Sequence, residues 1–238
     1  MHLFRRLLVL VAVAAAAGAF AHPSLAARPT AGDLPNTLGT THFLVHYQSD
    51  TVDADTMAWA ITQTQAGDIA ANAEKAYAAE TADGYAAPLS DGTLGGDSRI
   101  DIYVFDLSDT GALGITYADA YPATRSSAYI ELDGGTPDAM DLHTIAHELF
   151  HVFQFSIWES SQLSDHWLYE AAAEWMGYRV DDYSVTGDNL LDLGTPDVSL
   201  DCRDPNGDSM CSTTDGYLNG GYEKWPFFEY LNELYGPA

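Results

Sequence analysis

Residues 147–151, His-Glu-Leu-Phe-His, place two histidines four positions apart with a glutamate directly after the first, the pattern H-E-x-x-H. They lie within residues 141–155 (DLHTIAHELFHVFQF), a stretch without Pro or Gly in which Leu142, Ile145, Ala146, Leu149 and Phe153 recur at three-to-four spacing. That spacing predicts a helix with one buried apolar face. Residues four apart on a helix stand one turn above each other, so His147 and His151 can offer two imidazole nitrogens to a single metal ion. Glu148 is turned about 100° from His147, which keeps it out of the ligand set but within reach of a water that such an ion activates. The combination points to metal-assisted hydrolysis. The competing reading is a helix whose histidines only cap or form hydrogen bonds.

A second segment weighs against that competitor. Residues 165–179 (DHWLYEAAAEWMGYR) predict another helix, Ala-rich and opened by an Asp that can cap it. Glu170 and Glu174 are four apart and share a face. Catalytic zinc commonly takes three protein ligands, and two His with one Glu form an established set. Eighteen residues separate His151 from Glu170, enough for a turn and a returning helix.

HELFH, that gap, and Glu170 within WLYEAAAEW resemble the gluzincin metallopeptidases, the group containing thermolysin and the zinc aminopeptidases. In that group the third ligand is a Glu on the next helix, in contexts such as W-L-x-E-G. From about residue 41 to 236 the chain is also similar to uncharacterised secreted bacterial metalloproteases with W-x-x-E-A-x-A-x-W-M after the zinc helix. The similarity includes DGTLGGDSRIDIYVFDL, SSAYIELD and GYEKWPFFEYLNELYG. The resemblance implies zinc on His147, His151 and Glu170, with Glu148 as general base and Glu174 orienting a ligand histidine. Glu174 as the third ligand itself is the alternative. An α+β, zincin-like fold is also implied, with a small mixed or antiparallel sheet packed on an active-site helix and a following ligand helix. In gluzincins the strand before the zinc helix lies at the sheet edge and pairs with the substrate backbone. An edge strand suits that role because its free N–H and C=O groups can take up one more strand. The matching residues here are Tyr129, Ile130 and Glu131. Tyr169 stands where thermolysin-like enzymes have Asn, and Ala171 where aminopeptidases have Gly. Neither subgroup's specificity therefore carries over.

At the start of the chain, Arg5 and Arg6 precede an apolar run at residues 7–20, followed by the small-residue pattern Ala19-Phe20-Ala21. This predicts a cleaved signal peptide over residues 1–21, with Ser24-Leu25-Ala26 as a second processing site, and hence a secreted protein. Residues 22–40 read as a flexible leader and 41–238 as a single catalytic domain. The formal net charge is −26, spread through loops as Asp. Such a surface repels nucleic-acid phosphates and anionic lipid, which argues against both as partners. No later stretch is apolar enough for membrane insertion, and nothing in the sequence specifies an oligomeric state.

Residues 41–47 (THFLVHY) and 99–107 (RIDIYVFDL) predict strands, as do 127–132 (SAYIEL). His42 and His46 are read as partly exposed strand histidines. Residues 53–80 predict a long helix, interrupted near Gly67, and 108–125 read as a connection. Residues 181–215 form a polar insertion holding Cys202 and Cys211, which in an exported chain predict a disulfide. Within it Asp204, Asn206 and Asp208 alternate as calcium ligands do, with an Asx-rich turn as the competing reading. Residues 222–235 predict an amphipathic helix whose Phe227, Phe228, Leu231 and Leu234 pack on the zinc helices. Tyr222, after Gly220-Gly221, is the candidate oxyanion donor, with His166 and Tyr217 behind it. His143 either lines the cleft or is a hydrogen-bonded histidine. The expectation is a zinc-dependent peptidase acting on a peptide or protein. A binding or adhesion module with structural zinc, or a zinc hydrolase of a non-peptide amide or ester, are the other classes.

Overall fold

The computed structural model describes residues 28–29, 34–49, 59–120, 125–157, 166–181 and 225–236. Five strands form one mixed sheet: β1 (Asn36–Gly39), β2 (Phe43–Tyr47), β3 (Ile100–Phe105), β4 (Gly114–Ala118) and β5 (Ala128–Asp133). Their spatial order is β1-β2-β3-β5-β4, with β2, β3 and β5 parallel and the outer two antiparallel to their neighbours. Four α-helices accompany the sheet among the described residues: α1 (Gln63–Ala82), α2 (Leu142–Ile157), α3 (His166–Val180) and α4 (Trp225–Tyr235). The class is α+β, as the sequence implies.

Alternation sorts the three central strands into two faces. Phe43, Val45, Ile102, Val104, Ile130 and Leu132 point to the helix side and join one core with α1, α2 and α3. There α1 presents Ala66, Ala70, Ala73 and Ala76, small enough to bring its axis close, while α2 buries Ile145, Leu149 and Phe153 almost completely. Each of those larger side chains contributes roughly 1.5–3 kcal/mol by leaving water. The other face carries Tyr103 and Tyr129, packed under Leu34.

Five expectations are corrected. The segment read as a leader contains β1, which pairs with β2 from Asn36↔Tyr47 to Gly39↔Leu44. Helix α1 starts ten residues later than residue 53, because Thr62 and Gln65 form a reciprocal capping box there, and it runs through Gly67 without a break. The connection at 108–125 contains a strand, β4. His46 is buried against Asp101, and only His42 is partly exposed, paired with Glu74. In α4, Trp225 is the buried residue and Phe228 packs at the core's margin, whereas Leu234 is exposed. No helix among the described residues is long and apolar enough to cross a membrane. The signal segment, Cys202, Cys211, Asp204, Asn206, Asp208, Tyr217 and Tyr222 lie outside the described residues, as does the side chain of His166.

Glu80, near the end of α1, is fully buried, and neither carboxyl oxygen has a hydrogen-bond partner. Burial, with Asp83 nearby, raises its pKa well above the ordinary carboxylate range. The unfolded chain ionises this group at its usual value and the folded chain does not, so stability is full below that value and declines as pH rises. Glu80→Gln is expected to raise the thermal midpoint at pH 8 by several degrees and leave it nearly unchanged at pH 4, read by thermal unfolding at both pH values. Equal shifts at the two pH values would contradict a buried neutral carboxyl.

Candidate metal centre

Helix α2 opens where Asp141 Oδ1 accepts the Thr144 backbone N–H at 2.8 Å, and it then runs without interruption through both histidines. It is buried nearly all round, because β4 and β5 cover one side and α1 and α3 the others. Helix α3 returns along α2 and brings Glu170 to the histidines. His147 Nε2 and His151 Nε2 stand 3.2 Å apart, and Glu170 Oε2 lies 3.4 Å from the first and 3.5 Å from the second. Zinc ligands held at about 2.0–2.1 Å in a tetrahedron are separated by roughly 3.3 Å. The triangle therefore has the edges of one tetrahedral face, and these three buried residues could hold a metal ion.

The remaining ring nitrogens are occupied. His147 Nδ1 lies 3.1 Å from Glu174 Oε2, and His151 Nδ1 lies 2.7 Å from Gln154 Oε1. Gln154 is itself fixed by donating from Nε2 to the Tyr169 carbonyl at 3.1 Å. Both imidazoles are thus turned with Nε2 inward, the tautomer-setting arrangement common around metal-binding histidines. Glu174 faces the outer nitrogen of His147, which fits an orienting role rather than that of third ligand. It is also 3.4 Å from His143 Nε2, which places His143 behind the site instead of in a cleft.

Charge makes the cluster receptive to a cation. Burial alone would lower the His147 pKa, but hydrogen bonds to Glu170 and Glu174, with Glu148 nearby, raise it to about 10. Burial would raise Glu174, yet His143 and His147 hold it at about 2. For Glu170 the two imidazoles outweigh burial in the same sense and keep it well below the usual range. Glu148, Glu170 and Glu174 thus lie among the imidazoles of His143, His147 and His151, and a divalent ion bound at the Nε2 atoms would replace imidazole protons as their counter-charge.

Glu148, whose charge acts on both histidines, is held on its other side by β4. The Thr116 hydroxyl lies 2.7 Å from its Oε2 and 2.9 Å from its backbone carbonyl oxygen. Gly114, two residues earlier on the same strand, is the point of closest approach. A Cβ there would stand 2.6 Å from Glu148 Cγ and 3.0 Å from Oε1. Thr116, Gly114 and Gln154 were not singled out by sequence reasoning. Gln154 had a readable signal, since it follows His151 by three residues on one helix, whereas β4 had none that identified its neighbour.

The expected substrate strand is not at the edge. β5 pairs with β3 on one side and β4 on the other, so the backbone groups of Tyr129, Ile130 and Glu131 are engaged in the sheet. Tyr129 and Ile130 are also buried. Among the described residues the outermost strand on this side is β4, whose residues are half-buried. Glu174→Gln is expected to weaken metal binding about 10–100-fold while preserving the fold, measured by competition with a chromogenic chelator. An unchanged affinity would remove Glu174 from any part in orienting His147. No protein-family model, curated protein or solved structure matches this chain.

Proposed function

We propose that this protein is a zinc-dependent hydrolase of peptide bonds, with sheet, metal helix and ligand helix in a zincin-like arrangement. The carrying observation is the triangle of His147, His151 and Glu170 with the Glu148 carboxylate fixed beside it by Thr116. Two imidazoles and one carboxylate suit zinc better than the all-oxygen preference of calcium or magnesium. When bound, zinc supplies a Lewis acid that makes water acidic near neutral pH and polarises a carbonyl. Glu148 takes the proton from the attacking water and passes it to the departing amine nitrogen. Glu174 and Gln154 engage Nδ1 of His147 and His151, which aims Nε2 inward as the nitrogen that would bind zinc on giving up its proton. A purely structural site has no use for a carboxylate held close but outside the ligand set.

The outer margin of β4 pairs with no strand among the described residues, and it borders Glu148. In this reading β4 takes the part expected of β5: its free N–H and C=O groups receive an extended peptide and present the scissile bond to Glu148. The test is zinc content and cleavage of an unstructured protein, before and after chelation. One zinc per chain is expected, with cleavage lost on chelation and restored by zinc. A chain that takes up no zinc would remove the basis of the proposal. Zinc uptake with hydrolysis confined to non-peptide esters or amides would move the activity to that class.

A further inference from the structure

The sheet face opposite the metal centre buries a second charged group. Arg28 is fixed there by carboxylates from three separate parts of the chain. Its Nε and Nη2 donate to Asp119 Oδ1 and Oδ2 at 2.9 and 2.7 Å, a two-pronged pairing. Nη1 pairs with Asp101, Nη2 stands 2.9 Å from Asp91 Oδ2, and the guanidinium carbon lies 4.9 Å from the Tyr129 ring centre. Side-chain exposure is 12% for Arg28, 3% for Asp91, 1% for Asp101 and 9% for Asp119, so the ensemble is a pocket and not a surface ion pair.

Two of the carboxylates have further partners besides Arg28. His46 Nε2 lies 2.7 Å from the other oxygen of Asp101, and the Ser127 hydroxyl bonds Asp119 at 2.7 Å. Gly95, at φ +75°, passes so close that a Cβ would fall 2.1 Å from Asp101 Oδ2. Asp91 supplies the sharpest sign of a ligand requirement: both its oxygens are buried with no well-aligned hydrogen bond. Burial, with Asp101 beside it, pushes this carboxyl up to about 6 against the pull of Arg28. A planar fork engaged edge-on by carboxylates and face-on by a phenol ring is guanidinium recognition, which a lysine ammonium cannot reproduce.

We propose that Asp91, Asp101, Asp119 and Tyr129 form a guanidinium-binding site whose resident ligand is the chain's own Arg28, fixing the chain at that residue to the sheet. This inference is independent of the proposed hydrolase activity. It changes the meaning of the predicted leader. Cleavage after Ala21 or after Ala26 retains Arg28, whereas cleavage beyond it would empty the pocket.

The test is Arg28→Ala in the full chain, unfolded thermally with methylguanidinium at up to about 50 mM and with sodium chloride at matched ionic strength. Leaving buried carboxylates uncompensated should lower the midpoint by roughly 10 °C. Methylguanidinium should recover much of that loss in a saturable way, sodium chloride should not, and the wild type should show no such gain. Adding Asp119→Asn to the variant should abolish the recovery. A wild-type midpoint in Arg28→Ala, or equal recovery by both salts, overturns the proposal. Should that variant not fold, Arg28→Lys decides: a lowered midpoint supports a guanidinium-specific site, and an unchanged one shows that charge alone suffices.

Discussion

Glu148→Gln is expected to abolish peptide hydrolysis while leaving one zinc per chain. The carboxylate lies outside the triangle formed by His147, His151 and Glu170, so the amide removes a base without removing a ligand. Glutamine has nearly the same volume and can still accept from the Thr116 hydroxyl, which keeps the contact with β4. What it cannot do is take a proton. A positioned general base typically contributes 10²–10⁴-fold, and in the proposed mechanism one group serves both the attacking water and the leaving amine. The loss should therefore fall at the upper end, about 10⁴-fold in kcat, with KM little altered. The measurement is steady-state hydrolysis beside metal analysis on the same preparation. Loss of zinc together with activity would make Glu148 a ligand and invalidate its assignment as base. Retained hydrolysis would move the base elsewhere.

Gly114→Ala carries the second large effect, and it acts from the sheet. The added methyl group would stand 2.6 Å from Cγ of Glu148, near the root of that side chain, so the glutamate cannot clear it by swinging its tip. Either Glu148 leaves its rotamer and the Thr116 hydroxyl, or β4 moves outward. Displacing a catalytic group by about 1 Å costs roughly 10²-fold. We expect kcat to fall by about that factor with zinc content unchanged and the thermal midpoint lowered by a few degrees. Gly111→Ala is the matching control, since no atom lies within 4 Å of its Cβ position, although its φ of +71° adds strain unrelated to Glu148. Equal activity losses in the two variants would show that general loosening, not the contact with Glu148, is responsible.

The candidate metal centre was far more legible than the sheet around it, and the difference is physical. His147, Glu148 and His151 lie within one helical turn, where spacing in sequence is geometry in space. Glu170 was reachable because the next helix is short-linked and must return. Strand order is different: SAYIEL reads as a good strand wherever it sits, and only its partners make it central. The segment GITYA around Thr116 has no long apolar alternation, because an edge strand with one open margin needs none. Its importance lies in Gly114 and Thr116, whose value depends on Glu148, more than thirty residues away. Residues 36–39 were assigned to a leader for a related reason, as NTLG carries turn formers and pairs only with β2. Arg28, directly after Ala26-Ala27, gives no local sign of its three carboxylate partners.

The two histidines are steadied in different ways. His151 takes its orientation from Gln154 on its own helix, whereas His147 depends on Glu174 of α3, the helix that also delivers Glu170. Both alignments nevertheless rest on α3, because Gln154 is itself held by the Tyr169 carbonyl of that helix. A chain caught with α3 detached lacks Glu170, the carboxylate of Glu174 and the anchor of Gln154 together. Assembly of the cluster is consequently all-or-none with respect to one helix–helix contact, so a partly folded chain does not present the three candidate ligands together.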